Sequence, residues 1–109
     1  MKKYILLVLI GTSAQAANLN PMAVLKSNRV VTCYADDNVS VVLNSKRTAI
    51  KFTVEGESLV SRVEKVYTDN STYVSYSSKE VKLTFNARGS WYRPADDDKS
   101  ALVDCEFSR

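Results

Sequence analysis

Histidine is absent from this chain. Its absence removes the commonest general base, the systems in which histidine activates a serine or cysteine, and most zinc sites. An enzyme would have to run on carboxylates, lysine or tyrosine, so a non-enzyme without cofactor or metal is expected. Cysteine is scarce as well. Cys33 and Cys105 are the only two thiols, and once they bond to each other no thiolate is left as nucleophile or ligand. A second long apolar run is missing, and with it a comfortable bilayer span. So is a clustered basic excess: the charges are mixed along the sequence, which argues against nucleic acid, because binding many phosphates needs concentrated positive charge. No internal repeat or low-complexity linker divides the chain.

What is present begins with an export signal. Lys2 and Lys3 precede the apolar run Tyr4 to Ile10, and Ala14-Gln15-Ala16 is a small-x-small cleavage site. No cysteine stands at that site for lipid attachment. Residues 1–16 are therefore expected to be a signal peptide, 17–28 an N-terminal arm and 29–109 a single domain in the periplasm or outside the cell. Lys2 and Lys3 leave with the signal, so 15 Lys and Arg fall by two against 12 Asp and Glu, and the mature chain is nearly neutral. An oxidising compartment favours a Cys33–Cys105 bridge. Closing so long a loop is worth about 4 kcal/mol in the chain-entropy account, a useful staple for a domain too small to bury much surface.

The mature chain has the pattern of short strands and turns. Asn20-Pro21 breaks the arm, which is either loose or one helical turn around Met22 to Leu25. Arg29 to Tyr34 is β-branched, with Val31 and Cys33 on one face. Val39, Val41 and Leu43 alternate with polar neighbours, as do Ile50, Phe52 and Val54, and again Val81, Leu83 and Phe85, the period of a half-buried strand. Glu55-Gly56-Glu57 has the composition of a tight hairpin turn. Ser58 to Thr68 fits both a helical and a strand spacing; its β-branched content and flanking turns favour a strand, and a bulge accounts for its slipped phase. Thr72 to Tyr76, Trp91 to Arg93 and Ala101 to Phe107 complete about eight strands, the signature of a sandwich or small closed antiparallel barrel. A bridge between the first and last strands fits the barrel.

Several side-chain groups carry possible chemistry. Asp96-Asp97-Asp98 lacks the spacing of a calcium loop and suits a solvated turn. Asn38-Val39-Ser40 and Asn70-Ser71-Thr72 match the glycosylation pattern by chance frequency. The carboxylate pairs Glu55 with Glu57 and Asp104 with Glu106 suit a turn and an outward strand face better than a catalytic cleft. Tyr73 and Tyr76, three steps apart on one strand, point to opposite faces, so one is expected outside, where a ring can anchor a partner. Turns at Asp69–Ser71 and Ala87–Ser90 fall at one end of the sheet, so that Ser71 and Arg88 project together.

Val31-Thr32-Cys33, the alternating run Val39 to Leu43, Asn70-Ser71-Thr72-Tyr73, Arg88-Gly89 and Val103-Asp104-Cys105 together resemble the membrane-bound and C-type lysozyme inhibitors of Gram-negative bacteria, the MliC/PliC family, over about Val30 to Cys105. The resemblance implies an eight-stranded antiparallel barrel whose loop serine and loop basic residue enter the active cleft of a lysozyme. Ser71 and Arg88 are the matching positions, with Gly89, Tyr73 and Trp91 beside them as partner-binding residues. In the family the serine is followed by glycine and the basic residue is lysine; here Thr72 and Arg88 stand instead. The expectation is an inhibitor with a protein partner, a lysozyme, helped by the acid run Asp96 to Asp98 steering a basic target. The alternative is a small barrel that binds oligosaccharide, lipid or an envelope protein.

Overall fold

The computed structural model describes residues 19–36, 38–69 and 72–108. The signal-peptide segment 1–16 and Ser71 lie outside the described residues. A short helix α1 (Pro21–Lys26) leads into eight strands: β1 (Val31–Asp36), β2 (Val39–Leu43), β3 (Ala49–Val54), β4 (Glu57–Asp69), β5 (Tyr73–Ser78), β6 (Val81–Asn86), β7 (Gly89–Pro94) and β8 (Ala101–Phe107). Each pairs antiparallel with the next, and β8 pairs with β1, so the sheet closes into a barrel. β1, β5 and β7 each run on past their expected ends, because ladder bonds continue where the composition already signals a turn.

Alternation decides which side chains enter the barrel. Val31, Cys33, Val41, Leu43, Ile50, Val74, Tyr76, Val81, Leu83, Phe85, Val103 and Cys105 are all buried to 1% exposure or less. Tyr76 meets Phe85 edge-on, with centroids 6.5 Å apart, and Phe52 meets Tyr92 across the interior at 5.8 Å. The Cys33–Cys105 bridge joins directly opposed residues of the first and last strands, with Cα atoms 4.0 Å apart and a sequence separation of 72. It therefore ties the seam that makes the sheet a barrel.

The 13-residue strand β4 is a strand, not a helix. Its register slips between Val63 and Lys65, a bulge at Glu64. Glu57 to Arg62 pair with β3 and Val63 to Asp69 with β5, so the slip falls just after the change of partner. One strand thus changes partners midway, which explains the phase conflict in its sequence. The β3–β4 hairpin turns on Glu55 and Gly56, at φ 52° and 85°. Two successive positive φ values define the turn whose twist matches the flanking strands, and Glu55 tolerates a conformation that Gly56 adopts freely.

The N-terminal arm is ordered as a helix and belongs to the core. Asn20 caps it, its Oδ1 accepting from the Met22 and Ala23 N–H groups at 2.9 and 3.3 Å. Pro21 takes the first helical position, where no N–H is needed, and Val24 is fully buried. Arg47 locks the helix down. Its Nε and Nη2 donate to the Val24 carbonyl at 3.1 and 2.9 Å, and its Nη1 donates to the carbonyls of Arg29 at 2.6 Å and Asn44 at 2.8 Å. This arginine stands at φ 62° in the β2–β3 turn, which Asn44 Oδ1 braces by accepting from the Thr48 and Ala49 N–H groups. Arg47 and α1 together stop one end of the barrel.

Candidate partner-binding end

Antiparallel order puts the connections alternately at two ends. The turns at 44–48 and 87–88, with Asp69 and Thr72, share the end that α1 covers; Asp36 and Asn38, with the connections at 55–56, 79–80 and 95–100, share the other. Tyr73 opposes Asn86, which sets the turn after β4 beside the turn after β6. The two-loop placement expected from sequence therefore holds for the described residues on either side of Ser71.

The Arg88 turn is tightly specified. Asn86 Oδ1 accepts from the Arg88 N–H at 2.8 Å, a side-chain device that fixes short turns. Arg88 is exposed, while Gly89 beside it is buried. Gly89 has φ 147°, and a Cβ there would lie 3.2 Å from Leu102 Cδ1, so both backbone conformation and space ask for glycine. Gly89 thus shapes the turn and aims Arg88; being buried, it is not itself a contact surface. On the neighbouring turn, Thr72 donates from both its N–H and its Oγ1 to the Asp69 carbonyl, at 2.7 and 2.6 Å.

Of the two tyrosines, Tyr76 goes inside and Tyr73 stays half-buried on the outer wall. Trp91 is also half-buried, on the outward side of β7 opposite Thr84 and Leu102. Tyr73 and Trp91 are two strands and two residue steps apart, roughly 12 Å between Cα atoms at ordinary strand spacings. Between them Ser75 and Thr84 share a 2.9 Å hydroxyl bond. They flank the Arg88 turn without forming one aromatic platform.

Charge divides between the ends. Exposed Lys26, Arg29, Lys46 and Arg88 outnumber Asp69 and Glu106 at the helix-covered end, whereas Glu55, Glu57, Glu80 and Asp96 to Asp98 outnumber Lys79 and Lys99 at the other. The Asp96–Asp98 loop, expected to steer a basic target, stands at the end opposite Arg88. Asp104 and Glu106 point outward from β8, and among the described residues no cluster of three or more acidic or thiol groups is arranged to hold a metal ion. No described helix is long and apolar enough to cross a membrane.

Two features escaped the sequence. Arg47 sits in an unremarkable polar turn, and only the fold brings it under Val24. The second is a cleft at the acidic end, whose sole signal was the pair of adjacent apolar residues Leu59-Val60 in the strand of uncertain phase.

No protein-family model matches the sequence, and no curated protein or solved structure matches it.

Proposed function

We propose that this protein is an extracytoplasmic inhibitor that blocks a lysozyme by seating the Arg88 end of the barrel in its active cleft. The observation that carries this reading is the exposed Arg88 on a turn held by Asn86 and Gly89, with Tyr73, two residues after Ser71 in sequence, paired to Asn86 beside it. A glycosidase cleft presents a pair of carboxylates. An arginine fork complements one of them bidentately, and a serine hydroxyl can donate to the other. Exposed Lys26, Arg29 and Lys46 with Arg88 outnumber Asp69 and Glu106 at this end, and the net positive charge favours approach to an anionic cleft. A turn fixed before binding loses little entropy on docking.

The test is inhibition of c-, g- and i-type lysozymes by the oxidised mature protein, beside Arg88→Ala and Arg88→Lys. The expected outcome is inhibition of one class, weakened by about 30-fold or more in Arg88→Ala, the usual loss when a buried charge pair is truncated, and partly kept in Arg88→Lys. Inhibition by Arg88→Ala equal to the parent removes the mechanism. No inhibition of any class removes the target and leaves a binding barrel for another ligand.

A further inference from the structure

The acidic end of the barrel is open along one side. β4 joins β5 only from Val63 onward, so Glu57 to Arg62 have a ladder partner on the β3 side and none on the other among the described residues. The fork is closed at its root by Ser61 Oγ donating to Ser78 Oγ at 2.7 Å. Above it lies a cleft of about 630 Å³ between this free edge and the segment around Glu80 and Pro94 to Asp96. The far wall is itself braced, the Ala95 N–H donating to the Glu80 carbonyl at 2.9 Å.

The cleft has three properties that converge on one kind of occupant. Its floor is apolar, made of Phe52, Val54 and Leu59, with Val54 and Leu59 left 39% and 49% exposed. Its rim carries four carboxylates, Glu55, Glu57, Glu80 and Asp96, and no lysine or arginine lines it among the described residues. One wall is a strand edge whose outward N–H and C=O groups have no ladder partner among the described residues, the commonest template for adding a strand. We infer that this cleft takes an extended cationic peptide segment of a partner protein, which pairs with the Glu57–Arg62 edge, places an apolar side chain on Phe52 and Leu59, and sets its lysine or arginine side chains against the rim. A flat apolar ligand leaves the carboxylates unpaired, and an anionic strand is repelled by them; the alternating cationic strand satisfies edge, floor and rim together. This site is at the opposite end from Arg88, so the two stand or fall separately.

The experiment titrates the isotope-labelled oxidised protein with a capped synthetic peptide of about six residues alternating lysine and valine, the length of an ordinary strand. Backbone amide signals report the site. The expected result is shifts confined to Glu57–Arg62 and the Glu80 and Pro94–Asp96 wall, weakened about tenfold or more in a Glu80→Lys/Asp96→Lys variant, weakened by salt, and unchanged in Arg88→Ala. Both substituted side chains are exposed, so the variant keeps its fold, which its remaining amide spectrum verifies. Three results overturn the inference: equal binding of a glutamate–valine peptide, equal binding of a peptide N-methylated along its pairing edge, or no shift at millimolar peptide. Concentration-dependent shifts of the same amides without peptide also overturn it, by identifying a second copy of the chain as the occupant.

Discussion

The barrel finishes its two ends in opposite ways. At the Arg88 end, α1, Arg47 and the C-terminal residues cover the core. Val24 is fully buried, Arg29 Nε donates to the Ser108 carbonyl at 2.8 Å, and the Arg29 guanidinium lies 5.7 Å from the centre of the Phe107 ring. At the other end Val54 and Leu59 stay 39% and 49% exposed, and Glu57 to Arg62 of β4 have no strand partner on their second side among the described residues. The comparison teaches where backbone satisfaction comes from. A closed end needs side chains that reach carbonyls left by the turns, and Arg47 meets three of them at once. An open end leaves apolar surface and backbone groups to solvent, or to a partner.

The strongest way to break the comparison is to release the seam that both ends depend on. Cys33→Ala with Cys105→Ala is expected to cost about 4 kcal/mol, read as the shift in denaturant midpoint at constant slope. Next comes the stopper itself. Arg47→Ala orphans the carbonyls of Val24, Arg29 and Asn44 and is expected to cost about 2–3 kcal/mol, with faster amide exchange concentrated in α1. Leu59→Ser at the open end, by contrast, falls within about 1 kcal/mol, because its side chain is already half in water. Equal losses for these two would mean that the ends are not finished differently.

A smaller effect sharpens the account of the Arg88 turn. Gly89→Ala forces a side chain into φ 147° and onto Leu102, and is expected to destabilise by about 1–2 kcal/mol while also weakening whatever Arg88 binds. Arg88→Ala leaves the thermal midpoint within about a degree or two of the parent, since the side chain is exposed and the turn is held through the Arg88 backbone N–H.

The smallest effect lies inside the stopped end. Burial pushes the Tyr76 hydroxyl above its ordinary value of 10.0, against the opposing influence of the Arg47 guanidinium. No group of hydrogen-bonding geometry meets that hydroxyl among the described residues, so Tyr76→Phe changes stability by less than about 1 kcal/mol at neutral pH. The folded state holds the phenol proton more tightly than the unfolded chain. Its contribution is therefore complete below pH 10 and is lost as pH rises from there toward the folded value. Burial lowers Arg47 instead, which acts with the opposite sign nearer the guanidinium's own range. Unfolding curves through pH 10 should fall more steeply for the parent than for Tyr76→Phe.

Strand order was legible because the alternation is clean where one face is buried: Val81-Leu83-Phe85 and Val103-Cys105 declare their inward sides without help. β4 was ambiguous for a physical reason, since a strand that changes neighbours at a bulge must present both phases in turn. The Arg88 turn was legible as a polar Gly-containing turn, and its place beside the other loop followed from antiparallel order. That Gly89 is buried against Leu102, and that Tyr73 and Trp91 do not share a platform, required coordinates, because both depend on cross-strand stagger. The acid run was expected to steer a basic target; that it stands at the end opposite Arg88 follows only from the closed sheet.

By itself the sequence determined the class: short alternating strands, turn residues between them, and two cysteines on inward faces that suit a bridge between the first and last. Those are local properties, set by side-chain period and backbone preference. Only the tertiary structure decided which end is stopped and which is open, because that depends on long-range meetings such as Arg47 with Val24 and on where β4 leaves one neighbour for the next. No local pattern encodes those meetings; they arise when a closing sheet fixes which turns share an end.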